Sequence, residues 1–247
     1  MSSIYDEDYV LPALSRHSFF FPDPHEAPQE GLLAYGGDLS PNRLLKAYRQ
    51  GIFPWYSEGD PILWWSPDPR LILYPENFKV RKSFRRVLRN AGFTVTFDRL
   101  FEKVIHLCGN IPREGQNGSW ILPEMEEAYT DLHYQGYAHS VEVYKEGELV
   151  GGLYGVSLGK AFFGESMFSL VKDASKVAFK ALSDVLAQRG YDFIDCQMET
   201  DHMVRLGAKN VPRARFLQEL KETLEKPGEI GSWQHFQWEY KDSIDGK

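Results

Sequence analysis

A chain of 247 residues is long enough for one large domain, or for a small domain joined to a larger one. Its 43% hydrophobic and 26% charged content is ordinary for a globular protein. The 14% aromatic share goes first to a core, although aromatic rings also stack on nucleic-acid bases. Two cysteines, Cys108 and Cys196, are too few for a disulfide framework and are not spaced as a metal clip. The opening MSSIYDEDYV carries acids where a signal peptide carries cations, and no run of 18 apolar residues occurs, so neither a secretory signal nor a membrane span is expected. A reducing cytoplasm is the expected compartment. Nothing in the pattern points to a large exposed apolar patch, so a monomer is expected.

The net charge of −7 disfavours polyanions in general, but the charge is segregated. Residues 79–99 hold seven cations (Lys79, Arg81, Lys82, Arg85, Arg86, Arg89, Arg99) and one acid, Asp98. The remaining 21 basic and 34 acidic residues leave −13 elsewhere. One basic stripe on an acidic body can hold a polyanion locally.

In chain order, the first 70 residues are punctuated by FPDPHEAP, YGGDLSP, GIFPWYSEGDP and WWSPDPR, which mark turns and loops. Between them Ser40-Pro41 reads as a helix start, with a short helix over 42–50 stopped by Gly51. Residues 80–90 predict an amphipathic helix with Phe84, Val87 and Leu88 inward and the arginines outward. A strand at 93–97 follows, then helices over 98–107 and 123–135. Residues 140–144 and 149–154, joined by a turn containing Gly147, predict an antiparallel hairpin. A strand over 160–165 precedes a helix capped by Asp173, with Val177, Ala181, Leu182, Val185 and Leu186 on one face, and a short strand spans 193–197. Trp64 and Trp65 are read as core or interface residues.

This order fits an α+β acyltransferase of the kind that acetylates amines with acetyl-CoA. The fold expectation is a small loop-rich N-terminal domain, residues 1–70, and a GNAT-like domain, residues 71–247, with a mixed, mostly antiparallel sheet and flanking helices. Those acetyltransferases hold the CoA pyrophosphate on a glycine-rich loop at a helix N-terminus. The corresponding stretch here, SLVKDAS, has no glycine and places Asp173 where an anion would sit. Metal hydrolysis finds little support, because Asp201-His202 has no evident third ligand and His25, His133 and His139 are dispersed. GESMF is not the GxSxG elbow of a serine nucleophile.

Five stretches carry a more specific resemblance: GLLAYGGDLSP (31–41), YRQGIFPWYSEGDPILWWSPDPR (48–70), GSWI (118–121), FFGESMFS (162–169) and IDCQ (194–197). Together they resemble the leucyl/phenylalanyl-tRNA–protein transferases over nearly the whole chain. The resemblance implies transfer of Leu, Phe or sometimes Met from aminoacyl-tRNA to proteins that begin with Arg or Lys. It implies no cofactor, neither metal nor ATP, since the ester already stores the energy. By the same resemblance Asp195 and Gln197 are catalytic, one orienting or deprotonating the amine and the other hydrogen-bonding the reacting groups. The alternation of a strand puts both on one face. Glu165 joins them in the site, recognising the 3′-terminal adenosine or the aminoacyl group. Tyr48, Trp55, Trp120 and Tyr129 are the aromatics beside that adenosine, where stacking is worth about 1–3 kcal/mol per base. Leu153, Phe162, Met167 and Leu182 form the amino-acid pocket. From its charge alone, the stripe Lys79, Arg81, Lys82, Arg85, Arg86 and Arg89 is the candidate for tRNA phosphates. Two rival readings are a CoA-dependent amine acetyltransferase, disfavoured by the absent pyrophosphate loop, and a tRNA-binding protein without catalysis.

Overall fold

The computed structural model describes residues 10–111 and 121–241, so Trp120 lies outside the described residues. The first elements build a small sheet: β1 (Ala13–Leu14), β2 (Leu32–Gly36), β3 (Phe53–Pro54) and β4 (Leu63–Trp65), in the order β1-β2-β4-β3. Helix α1 (Pro41–Arg49) sits between β2 and β3 in the chain, and Gly51 ends it with φ of +71°, as its sequence predicts. The Ser40 side chain makes no capping bond; Asp38 accepts from the Ser40 N–H instead, at 2.9 Å.

From β5 (Arg70–Leu73) onward the chain builds a larger sheet with the order β11-β5-β10-β9-β8-β7-β6. Its other strands are β6 (Phe93–Phe97), β7 (Ala138–Lys145), β8 (Glu148–Leu158), β9 (Ala161–Ser169), β10 (Phe193–Gln197) and β11 (Lys209–Val211). All neighbours pair antiparallel except β9 with β10. The hairpin β7–β8 turns at Glu146 and Gly147, with φ of +54° and +85°, a pair of left-handed residues that favours the glycine. Helices α2 (Lys82–Asn90), α3 (Phe101–Asn110), α4 (Pro123–Tyr134), α5 (Ala174–Gln188), α6 (Asp201–Leu206) and α7 (Arg213–Leu224) complete the fold. This is the α+β arrangement expected, with a mixed, mostly antiparallel sheet and flanking helices.

Two hydrophobic clusters hold the sheet. Adjacent residues such as Phe162 and Phe163, Leu153 and Tyr154, or Ile194 and Phe193 fall into opposite clusters, so the clusters lie on its two faces. One face buries Leu44 of α1, Phe101 of α3, Met125 of α4 and Phe216 of α7 together with Trp64 of the small sheet. The other buries Phe84 of α2 and the predicted stripe of α5, in which each Val or Leu removed from water contributes about 1.5–3 kcal/mol. Asp173 departs from its expected capping role. Its backbone is left-handed, with φ of +69°, and its carboxylate pairs with Lys176 at 2.5 Å, while Ser169 Oγ accepts the Ser175 N–H at 2.7 Å.

Asp98, the one acid in the basic segment, points inward. It accepts the Ser140 N–H (2.9 Å), the Trp233 N–H (2.7 Å) and His139 Nδ1 (2.9 Å), and the Trp233 ring stacks on His139 at 3.7 Å. Its carboxylate is thus spent inside the fold, where it anchors the C-terminal segment through Trp233. Burial lowers the His139 pKa from its ordinary 6.5 despite Asp98, which opposes the shift. The unfolded chain thus takes up a proton at His139 before the folded one does, and stability falls as pH drops below about 6.5. Urea midpoints measured from neutral to mildly acid pH should fall accordingly, and the fall should be smaller in His139→Asn. An equal fall in both proteins would contradict this origin.

Candidate active site

The site forms where β9 and β10 part. Their parallel pairing runs from Phe193↔Ala161 to Asp195↔Phe163 and ends there. Just beyond, each strand carries an irregularity against its other neighbour: β9 between Gly164 and Ser166, opposite Gly155 and Tyr154, and β10 between Asp195 and Gln197, opposite Ile72 and Leu71. Such bulges re-aim side chains. Glu165 is the extra residue on β9, and Gln197 follows the extra residue on β10 with φ of +62°, a left-handed conformation costly for a non-glycine residue.

This changes the expected relation of Asp195 and Gln197. Simple alternation does not hold across the bulge, and the two side chains go to different partners. Gln197 Nε2 donates to Glu165 Oε1 at 3.0 Å. Asp195 is fully buried, and both of its oxygens are engaged by Arg70: Oδ1 by Nε at 2.8 Å and Oδ2 by Nη2 at 2.7 Å. Its Oδ1 also accepts the Gln197 N–H at 2.9 Å. Arg70 is held in turn by the Gly51 carbonyl (3.1 Å) and lies over the rings of Phe53 and Phe216. Asp195 therefore faces a cation and a backbone amide, and it shapes the turn that presents Gln197.

Glu165 is the centre of the polar group. Tyr48 donates to its Oε1 at 2.7 Å, Tyr129 donates to its Oε2 at 3.2 Å, and the two tyrosine hydroxyls bond each other. Burial pushes the Glu165 carboxyl up to about 7; the two hydroxyls and Arg70 oppose this, and Asp195 adds to it. Both phenols are held well above their ordinary pKa, by burial first and then by the Glu165 charge. Tyr48 and Tyr129 have no exposed surface, which corrects the expectation that they stack on a base. A ring packed on all sides offers no face to a base, and what the two residues turn toward Glu165 is their hydroxyls.

Glu165 and Gln197 form part of the wall of a cavity of about 520 Å³. Leu153, Phe162, Met167 and Leu182, named from sequence as one pocket, line it together. Its size lies in the range of small-ligand sites, about 300–1,000 Å³. Phe179 of α5, Ile194 of β10 and Met203 of α6 extend the apolar wall, and His202 adds an imidazole whose pKa is lowered by burial and by Lys176 and Arg205. Cys196 also lines the cavity, its thiol pushed up by burial and by Asp195. Trp55 stands apart, exposed beside Trp65, which donates its indole N–H to the Trp55 carbonyl at 2.6 Å. In the basic stripe, Lys79, Arg81, Lys82, Arg85, Arg86 and Arg89 are all exposed. Lys79 is tied to α6 through its backbone, donating to the Leu206 carbonyl (2.8 Å).

Sequence reading missed Arg70, although it closes the WWSPDPR motif, and weighed His202 only as a metal ligand, not as part of the cavity wall. A pairing between residues 125 positions apart leaves no periodic signal.

Two family descriptions match the chain: leucyl/phenylalanyl-tRNA protein transferase over residues 72–221, and the N-terminal domain of the same family over residues 37–68. The chain belongs to the leucyl/phenylalanyl-tRNA protein transferase family. A transferase of this name from Maridesulfovibrio salexigens is 57% identical over 222 residues, covering 90% of this chain and 92% of that protein. Those from Myxococcus xanthus and Legionella pneumophila are 54% and 51% identical, covering 88% and 93% of this chain and 93% and 98% of theirs. Among solved structures, a GCN5-related N-acetyltransferase from Kribbella flavida aligns at 14% identity with a TM-score of 0.33, covering 70% of this chain and 61% of that one. For members of the transferase family, an aminoacyl ester and an amine must meet in one site.

Proposed function

We propose that the protein moves Leu or Phe, and to a lesser extent Met, from aminoacyl-tRNA to the α-amino group of proteins that begin with Arg or Lys. A peptide bond forms and marks the acceptor for degradation by the N-end rule pathway. One observation carries the reading: the four residues assigned to an aminoacyl pocket line a single cavity with Glu165 and Gln197 in its wall. The apolar wall takes the amino-acid side chain, and the flexible thioether of Met167 adapts to Leu or Phe. That places the ester carbonyl beside the polar group, where holding two reactants in register supplies much of the rate. Gln197 positions the reacting groups through its amide, and Asp195 acts on the reaction through Gln197. Trp55, with Trp120, serves the 3′-terminal adenosine. Aminoacyl-tRNA as substrate implies work in the cytoplasm, and no helix among the described residues is long and apolar enough to cross a membrane.

Transfer of label from Leu- or Phe-charged tRNA to a protein with N-terminal Arg tests the reading. Label should follow an N-terminal Arg or Lys, and its absence while tRNA still binds would favour the non-catalytic rival. The exposed stripe of α2 is proposed to meet tRNA phosphates. Replacing Arg81, Lys82 and Arg86 by Ala should weaken tRNA binding whatever amino acid it carries, and reduce the salt slope by about 1 for each phosphate no longer neutralised. An unchanged slope would move the tRNA to another face.

A further inference from the structure

Aminoacyl transfer requires a proton to leave the attacking amine, and Asp195 is badly placed to take it. That carboxylate is closed off by Arg70 and the Gln197 N–H and does not line the cavity. Glu165 does line it. Building on the proposed transfer reaction, we propose that Glu165, closed into a ring with Tyr48 and Tyr129, accepts the proton of the attacking amine and returns it to the departing ribose oxygen.

The ring explains why this carboxylate can change charge inside a buried network. It has three oxygen–oxygen edges: Glu165 Oε1 to Tyr48, Tyr48 to Tyr129, and Tyr129 to Glu165 Oε2. With Glu165 ionised, two hydroxyl protons serve three edges, and one edge stays without a proton. An added proton on Oε2 fills it: Oε2 donates to Tyr129, Tyr129 to Tyr48, and Tyr48 to Oε1. Uptake therefore strands no buried donor. Among the described residues Oε2 is the open position, because Oε1 already receives both Tyr48 and the Gln197 amide, whereas Oε2 receives Tyr129 alone, at 3.2 Å. A carboxyl raised to about 7 is also matched to proton transfer near neutrality.

The step balances without a co-reactant. The lone pair of the amine nitrogen attacks the ester carbonyl carbon and the C–N bond forms. The amine proton passes to Glu165 Oε2. As the carbonyl re-forms, the bond from carbon to the ribose oxygen breaks, and that oxygen takes the proton from Glu165. The products are the peptide bond and uncharged tRNA, with Glu165 ionised again.

The test is single-turnover transfer of Leu from charged tRNA to a peptide with N-terminal Arg, measured from below to above neutral pH. Glu165→Gln keeps the shape of the side chain but cannot take the proton, so transfer should fall about 10²–10⁴-fold while charged tRNA still binds. Tyr129→Phe removes a hydroxyl that favours the ionised carboxylate, so the limb on which rate rises with pH should move to higher pH. The acceptor amine titrates on its own and is the same in every variant, so it cannot produce that movement. Wild-type protein that transfers nothing would overturn both this assignment and the transferase reading. Wild-type transfer together with an unimpaired Glu165→Gln, or an unmoved limb in folded Tyr129→Phe, would overturn the Glu165 assignment alone.

Discussion

Arg70→Met should cost about 3–5 kcal/mol of stability, because it leaves the Asp195 carboxylate buried without its cation. The double variant Arg70→Met/Asp195→Leu removes both charges and should recover most of that loss, since an apolar pair of similar volume often replaces a buried ion pair at little cost. Transfer should not recover with it. Asp195 Oδ1 holds the Gln197 N–H, and Gln197 adopts its left-handed backbone at a cost of about 1–3 kcal/mol that surrounding structure must offset. Without Asp195 that turn relaxes, and the Gln197 amide loses its aim at Glu165. Urea denaturation and single-turnover transfer on the same three proteins separate the two effects. A double variant that is both stable and fully active would show that Asp195 plays no part in presenting Gln197.

Gly155→Ala should be nearly as damaging, from the opposite side of the site. Gly155 pairs with Gly164 beside the bulge that carries Glu165. A Cβ there would lie 2.2 Å from the Phe163 carbonyl oxygen and 2.5 Å from a Phe162 ring carbon. The first contact is with backbone and can be relieved only by moving β9, at a cost of about 1–3 kcal/mol or more. The second pushes the Phe162 ring, part of the cavity wall, out of place. A shift of about 1 Å at a reacting centre can cost about 10²-fold in rate, so transfer should fall on that scale. Thermal melting and transfer rates check both parts, and wild-type transfer in Gly155→Ala would mean that the bulge does not set the site.

Much of the C-terminal fold is legible in the sequence because its elements announce themselves locally. The α5 stripe has helical period, residues 93–97 alternate, and Gly136 and Gly190 stop their helices with φ of +80° and +67°. Strand β5 and helix α7 are harder to see, for different reasons. β5 is four residues fully buried on both faces, which gives no alternation; in α7 Phe216 and Leu220 follow helical spacing, but only two large apolar residues of that face are fully buried. The cavity residues are legible only through resemblance; on spacing alone Leu153 and Leu182 are indistinguishable from core. What sequence does not show is the pair of bulges. A strand register depends on partners far along the chain, so the separation of Asp195 from Gln197, the Arg70 clamp and the burial of Tyr48 and Tyr129 all require the structure.

One reaction tests the proposed transfer most directly. Purified protein would be mixed with radiolabelled Leu- or Phe-charged tRNA and a protein bearing N-terminal Arg, with ATP, CoA and added metal left out, and tRNA binding followed in the same samples. Label should join the acceptor through its α-amine, and none should appear on the same acceptor with an acetylated N-terminus. Charged tRNA that binds but never gives up its amino acid to the free N-terminus would contradict the transferase reading.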